Sequence, residues 1–291
     1  MNSLSAEAVK RFARERGADL VGVASIDRFN GAPPHLHPAK SMLPTAKSVI
    51  VIAKRIPRGC LRGNIEGTNF TTFAYYGYIF LQHKYYMSKL DYEVACFIER
   101  HGWEAVPSQG IGAHFKVAAV LAGLGQIGWN QLLLTPQFGP LERLGIIVTE
   151  VDLEPDPIFE GRLCEPEDCG YRCVIECPNK AIPKTRKITL NIAGKTVEFS
   201  DMDLGKCMTD CIRLTMHSPF MKKVSGGRAI SPTAIDEVVD FYRMMYRHVG
   251  KLPYAIRGSM GCMEACIEYL EERGKIQRFK LPLRRRPKWE F

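Results

Sequence analysis

The sequence predicts a protein of the α/β class in two parts, a layered α/β core and a smaller cysteine-bearing module. Three observations carry this. Helical and strand-like apolar runs alternate from the N-terminus to about Val151, the pattern of stacked helix and sheet layers. Beyond that point the composition changes, and eight of the ten cysteines fall between Cys164 and Cys266. Within that stretch two alternating runs meet at Ala193-Gly194-Lys195, a hairpin signature. The boundaries drawn on this basis are a core over 1–152, a module over 153–274 and a basic tail over 275–291.

Each element has a local cause. Ser5 caps a helix that runs to about Arg16, and Gly17 ends it. Leu20 to Ala24 then reads as a short buried strand, Pro33, Pro34, Pro38 and Pro44 mark a loop, and Ser48 to Ala53 is a second buried strand. Phe73, Phe80, Met87, Leu90, Val94 and Phe97 recur near helical spacing, which predicts a long helix from Phe73 to Arg100. A helix over His114 to Leu121 follows, then strands at Leu132–Leu134 and Ile146–Val148. In the module, Lys187–Ile192 and Thr196–Phe199 form the arms of the hairpin. Helices are expected over Cys207–Met216, Pro232–His248 and Cys262–Arg273; Ser231 caps the second, with proline at its first position.

The cysteines are ordered. Four form Cys164-x4-Cys169-x3-Cys173-x3-Cys177-Pro178, and two Cys-x3-Cys pairs follow, Cys207/Cys211 and Cys262/Cys266. A dense thiolate loop closed by Cys-Pro is how a chain holds a cubane cluster, and the last cysteine of such a run commonly ligates a second one. Four plus four ligands predict two [4Fe-4S] clusters. One would take Cys164, Cys169, Cys173 and Cys266, the other Cys177, Cys207, Cys211 and Cys262. Zinc would suit a Cys-x3-Cys pair on one helix face, but leaves the run ending in Cys-Pro unexplained. Disulfides need an oxidising compartment, and Met1 to Glu7 does not resemble a secretory signal. The expected location is therefore cytoplasmic. Cys96, in an apolar helical run, reads as a core residue.

Composition narrows the class further. Hydrophobic residues make up 46% of 291 and charged residues 24%, the balance of a globular protein. No apolar stretch reaches the roughly 20 residues that span a bilayer. The net charge of +9 favours acidic partners. Much of the excess lies in the tail from Lys275 to Phe291, which reads as a solvated segment clamped on the body; docking or nucleic-acid contact is the less favoured alternative.

Gly123-Leu124-Gly125-Gln126-Ile127-Gly128 matches the dinucleotide fingerprint G-x-G-x-x-G. That motif needs a strand before it and a crossover helix after it. Here a helix precedes it and Pro136 follows too soon. The glycines instead suggest close approach of backbone to another surface, protein or cofactor.

The wider stretch Ala122 to Gly139, AGLGQIGWNQLLLTPQFG, closely resembles a segment of epoxyqueuosine reductases. Related segments occur in corrinoid-dependent reductive dehalogenases. The GADLVGVA opening at Gly17–Ala24 and LPTAKSVIVIA at Leu43–Ala53 follow the same order. This resemblance covers most of the chain to about Arg273. It implies a nitroreductase-like α/β core carrying cobalamin beside a ferredoxin-like module with two [4Fe-4S] clusters. It also implies reductive chemistry on a small-molecule substrate, with reduced ferredoxin or flavodoxin as electron donor. The residues matching the corrin-facing segment are Gly123, Gly125, Ile127, Gly128, Asn130 and Leu133. Val106 to Gly110 holds no carboxylate where epoxyqueuosine reductases carry an acidic catalytic residue. No room remains after Cys266 for the helical-repeat extension of some of those enzymes. The chain accordingly resembles shorter iron–sulfur relatives. Alternative roles are an electron carrier, an activator of another corrinoid protein, or modification of tRNA.

Proton-donor candidates are His114, Lys116 and Tyr76 with its neighbours Tyr75 and Tyr78. His114 could titrate near neutrality or cap the helix it opens. Lys116 could bind an anion or lie in solvent, and the tyrosines could be packing residues.

Overall fold

The computed structural model describes residues 4–66, 72–73, 76–77, 86–108, 114–177, 180–211 and 261–283. Within them the elements run α1 (Ala6–Glu15), β1 (Leu20–Ser25), α2 (Pro38–Ser41), β2 (Ser48–Arg55), α3 (Gly59–Glu66) and α4 (Tyr86–Glu99). There follow β3 (Ala105–Ser108), α5 (Phe115–Leu121), β4 (Gln126–Ile127), β5 (Leu133–Leu134), β6 (Glu142–Thr149) and α6 (Arg172–Ile175). The module continues with β7 (Lys187–Ile192), β8 (Lys195–Ser200), α7 (Leu204–Cys211) and α8 (Gly261–Glu272).

The core is an antiparallel four-stranded sheet in the order β1-β2-β6-β3. Its central strands, SVIVIAKR and ERLGIIVT, are almost continuously buried because both faces are covered. On one face α1 and α4 bring Val9, Ala13, Met87, Leu90, Val94 and Ile98 against Ile50, Ile52 and Ile147. On the other, Ala118 to Ala122 of α5 and its end meet Val49, Val51, Ile146 and Val148. The result is a mixed α/β layer structure, as the alternation of elements predicts.

Ser5 accepts a hydrogen bond from the Ala8 N–H and caps α1. Gly17 follows its end at φ +104°, a conformation open to glycine. The β7–β8 hairpin turns through Ala193 and Gly194 at φ 50° and 73°, both left-handed as a two-residue type I′ turn requires.

Two short strands escape the sequence reading. β3 contains Pro107, tolerated because among the described residues β3 pairs with β6 alone and forms the sheet edge. β4 begins inside the glycine segment and pairs with β5, Gln126 opposite Leu134. The predicted helix from Phe73 is described as α4 from Tyr86; residues 74–75 and 78–85 lie outside the described set, as does the expected helix at Pro232–His248. No described helix is long and apolar enough to cross a membrane.

Candidate functional site

The loop of the cysteine run and helix α8 meet at one void. Cys164, Cys169, Cys173 and Cys266 all line it, with Trp129, Leu134 and Tyr269 among the surrounding side chains. These are the four residues predicted for the first cluster. Beside them Trp129, Cys173, Cys177, Ala181 and Ile182 pack together, with Cys207 and Cys262 against them. Cys262 feels the charges of Cys207 and Cys177, three of the four predicted for the second cluster. The side chain of Cys211 lies outside the described residues.

The nine described cysteines are all free thiols. Among the described residues no three His, Cys, Asp or Glu side chains are grouped to hold a single metal ion. The first four thiols stand instead around a shared void. An all-thiol donor set enclosed by apolar side chains suits an iron–sulfur cluster.

Burial dominates the chemistry of these sulfurs. It pushes Cys164 up to about 11, against a backbone hydrogen bond from Trp129. It pushes Cys262 up to about 12, with the Cys207 and Cys177 thiols adding to the rise. Cys173 and Cys266 are raised for the same reasons. Ligation requires thiolates, so cation binding here would release protons.

The glycine segment reaches into this site. Gln126 Oε1 accepts from the N–H groups of Leu163 and Cys164 at 2.9 and 3.1 Å, fixing where the cysteine run begins. The Trp129 N–H donates to Cys164 Sγ at 3.2 Å. The Trp129 indole donates to the Pro183 carbonyl at 3.0 Å, and its ring meets Tyr171 edge-on at 5.4 Å. Asn130 Nδ2 donates to the Cys262 carbonyl at 3.2 Å and to Cys266 Sγ at 3.3 Å. The Ala181 N–H donates to Cys177 Sγ at 3.2 Å. Only Asn130 of these non-cysteine residues was singled out by sequence, and then toward a corrin. Gln126 and Trp129 lie within the same AGLGQIGWN stretch, which was the available signal.

The remaining corrin-facing candidates lie mostly against protein. Gly123 and Gly125 leave room for the Pro157 and Leu134 carbonyls, and Gly128 for Asn130 and Leu134. Ile127 and Leu133 are buried opposite each other across β4–β5. The motif follows a helix and enters a strand, so it lacks the dinucleotide geometry. Gly125 and Ile127 also border a cavity of about 250 Å³ with Arg162, Lys195 and Glu198. Pockets for drug-sized ligands run from about 300 Å³ upward, and a corrin is larger still.

Among the described proton-donor candidates, Lys116 lies within electrostatic reach of the Cys207 and Cys262 thiols. Burial lowers its pKa; the charges of Cys207 and Cys262 oppose this and that of Arg143 adds to it. Arg143, which no sequence pattern flagged, donates to the Gly77 carbonyl at 2.8 Å. His114 serves as the N-cap of α5, its Nδ1 accepting from the Val117 N–H at 3.3 Å. The residue keeps an exposed surface, yet its pKa is lowered, first by desolvation from the surrounding protein atoms and then by Lys116. Tyr76 is exposed, and Tyr75 and Tyr78 lie outside the described residues. The start of the basic tail clamps on the body: Lys275 pairs with Glu165, and Leu283 is buried.

No protein-family model matches the chain. Individual proteins do. The chain is 29% identical over 208 residues to tetrachloroethene reductive dehalogenase of Sulfurospirillum multivorans, covering 60% of this chain and 40% of that one. It is 31% identical over 154 residues to epoxyqueuosine reductase of Staphylococcus aureus, covering 49% and 38%. The matches span between 17% and 40% of the length of the curated relatives. Among solved structures, a reductive dehalogenase described in connection with B12-dependent dehalogenation superposes with TM-score 0.53 and 20% identity, over 90% of this chain and 36% of that one. Epoxyqueuosine reductase from Streptococcus thermophilus gives TM-score 0.50 at 19% identity, over 91% and 80%. These superpositions speak to fold. In sequence the chain has homologues named reductive dehalogenase and epoxyqueuosine reductase, and in fold it is similar to solved structures of both.

Proposed function

We propose that this chain is an iron–sulfur oxidoreductase. Two [4Fe-4S] clusters in a ferredoxin-like module carry electrons for reductive chemistry on a small molecule, with cobalamin as the partner cofactor. The observation that carries the reading is the grouping of Cys164, Cys169, Cys173 and Cys266 around one void, with Cys177, Cys207 and Cys262 beside them. The relatives' names supply the reductive character, and a B12-dependent neighbour supplies the corrin.

The chain's own residues have defined roles in this reading. The two thiol groups hold the clusters, and the Trp129 and Ala181 N–H groups stabilise electron-rich sulfur. Leu134, Trp129 and Ile182 exclude water from the metal centres. Lys116, within electrostatic reach of Cys207 and Cys262 and with Arg143 near it, is suited to hold an anionic substrate or to deliver a proton, its buried amine giving up a proton more readily than a free lysine. Cobalamin, when bound, supplies two-electron reductive chemistry that side chains lack. Reduced ferredoxin or flavodoxin is the proposed donor, matching the chain's positive charge.

The test is EPR of anaerobically cluster-loaded protein with and without cob(II)alamin. Two reduced-cluster signals, with a cobalt signal shifted to a form lacking nitrogen hyperfine splitting on its lower face, are expected. Two clusters beside an unchanged cobalt signal would remove the corrin and leave an electron carrier. Absence of cluster signals would sink the whole reading.

A further inference from the structure

Asn130 stands where the two thiol groups adjoin. It is 2% exposed, and its amide is fully engaged. Nδ2 gives one hydrogen bond to the carbonyl of Cys262, whose thiol belongs to the second group. It gives another to the sulfur of Cys266, in the first group. Oδ1 accepts from the Leu132 N–H at 3.2 Å. That bond fixes the amide's orientation, because a flipped amide would set N–H against N–H. Gly128 packs directly on Oδ1, where a Cβ would press into it at 2.9 Å. The preceding residue donates its own N–H to Cys164 Sγ. Residues 129 and 130 thus deliver two donors to two sulfurs around one void.

Such placement has an electrostatic consequence. A donor aimed at a cluster thiolate favours the form with more negative charge, and in a dry site the effect is enlarged. Adding an electron to a cluster increases that charge. We infer that Asn130 is a redox-positioning residue: its side-chain amide raises the reduction potential of the cluster held by Cys164, Cys169, Cys173 and Cys266. Its second bond holds the backbone of Cys262 without touching that residue's sulfur. The side chain of Asn130 therefore acts directly on the first cluster and not on the sulfurs of the second. This inference rests on the two-cluster reading.

The experiment is an anaerobic redox titration of the loaded wild type, N130L and N130S, followed by EPR, with the first cluster identified as the signal lost in C173A. Leucine keeps the volume and removes the donor; serine is polar but too short to reach Cys266. At the wild-type midpoint of the first cluster, its ratio of reduced to oxidised form should fall about tenfold in both variants, equivalent to 59 mV for one electron. The second cluster should move by less. Unchanged midpoints in variants that hold both clusters would overturn the inference. So would loss of the first cluster from both variants, since Asn130 would then be a structural support alone. If the wild type itself loads fewer than two clusters, the two-cluster reading fails first, and the titration distinguishes the two failures.

Discussion

Arg58 holds Glu271 through two parallel hydrogen bonds, Nε to Oε1 at 2.6 Å and Nη2 to Oε2 at 2.7 Å, with both side chains largely buried. The same guanidinium donates to the Leu281 carbonyl and lies 4.5 Å from the centre of the Phe279 ring. It thus ties the core to the helix that carries Cys262 and Cys266, and to the tail beyond it.

Removing one partner of such a pair strands a buried charge, which destabilises by about 3–5 kcal/mol. R58A should show a loss of that order in chemical denaturation. R58M/E271L should recover most of it, because neither charge remains. Equal losses in the single and double variants would mean that packing of the arginine stem is what matters.

Cys173 and Cys177 sit one turn apart around α6; Cys173 lines the void with Cys164, Cys169 and Cys266, and the proposed division gives Cys177 to the other cluster. C173A should abolish one reduced-cluster EPR signal and C177A the other. Loss of the same signal from both variants would show that the ligand division is wrong.

The α5 cap should make stability pH-dependent. His114 accepts through Nδ1, so it must be neutral there, and its pKa lies below the ordinary 6.5. A histidine depressed on folding stabilises above its unfolded value, and that contribution fades as pH falls from about 6.5 toward the folded value. H114N keeps a capping acceptor without titrating. Its melting temperature should decline less than wild type between pH 7 and 5; parallel curves would assign the cap no such role.

Gly125 has no room for a methyl group, since a Cβ would drive into the Leu134 carbonyl, which is backbone and cannot swing aside. G125A should destabilise by about 1–3 kcal/mol, the usual range for overpacking, and hydrogen exchange should quicken in β4 and β5 first. A neutral substitution would mean that this hairpin yields easily.

Much of this architecture was legible in the chain. Ser5, Gly17 and Ala193-Gly194 act through their own backbone geometry, so local rules found them. The cysteine spacing pointed to the convergence of Cys164, Cys169, Cys173 and Cys266 on one void because turns of α6 and α8 repeat their positions over short intervals. Other features answer to distant partners. β3 needs β6 to exist as a strand, and Pro107 argued against it locally. Arg143 matters through the Gly77 carbonyl and Lys116, contacts that no local pattern encodes. Asn130 was recognised within its motif, but its hydrogen bonds reach 132 and 136 positions along the chain.

That separation has a consequence for the order in which the protein can be made. The run from Cys164 to Cys177 leaves the ribosome well before Cys262 and Cys266. At about 5–20 residues per second, the gap of 89 positions between Cys177 and Cys266 (266 − 177) corresponds to a delay on the order of ten seconds. During translation the early thiols must wait for the helix that completes both groups. If the proposed clusters are bound, iron added sooner would meet an unfinished set, and oxygen would meet sulfurs not yet enclosed. Insertion after synthesis, into an already folded core, is the sequence of events this topology favours.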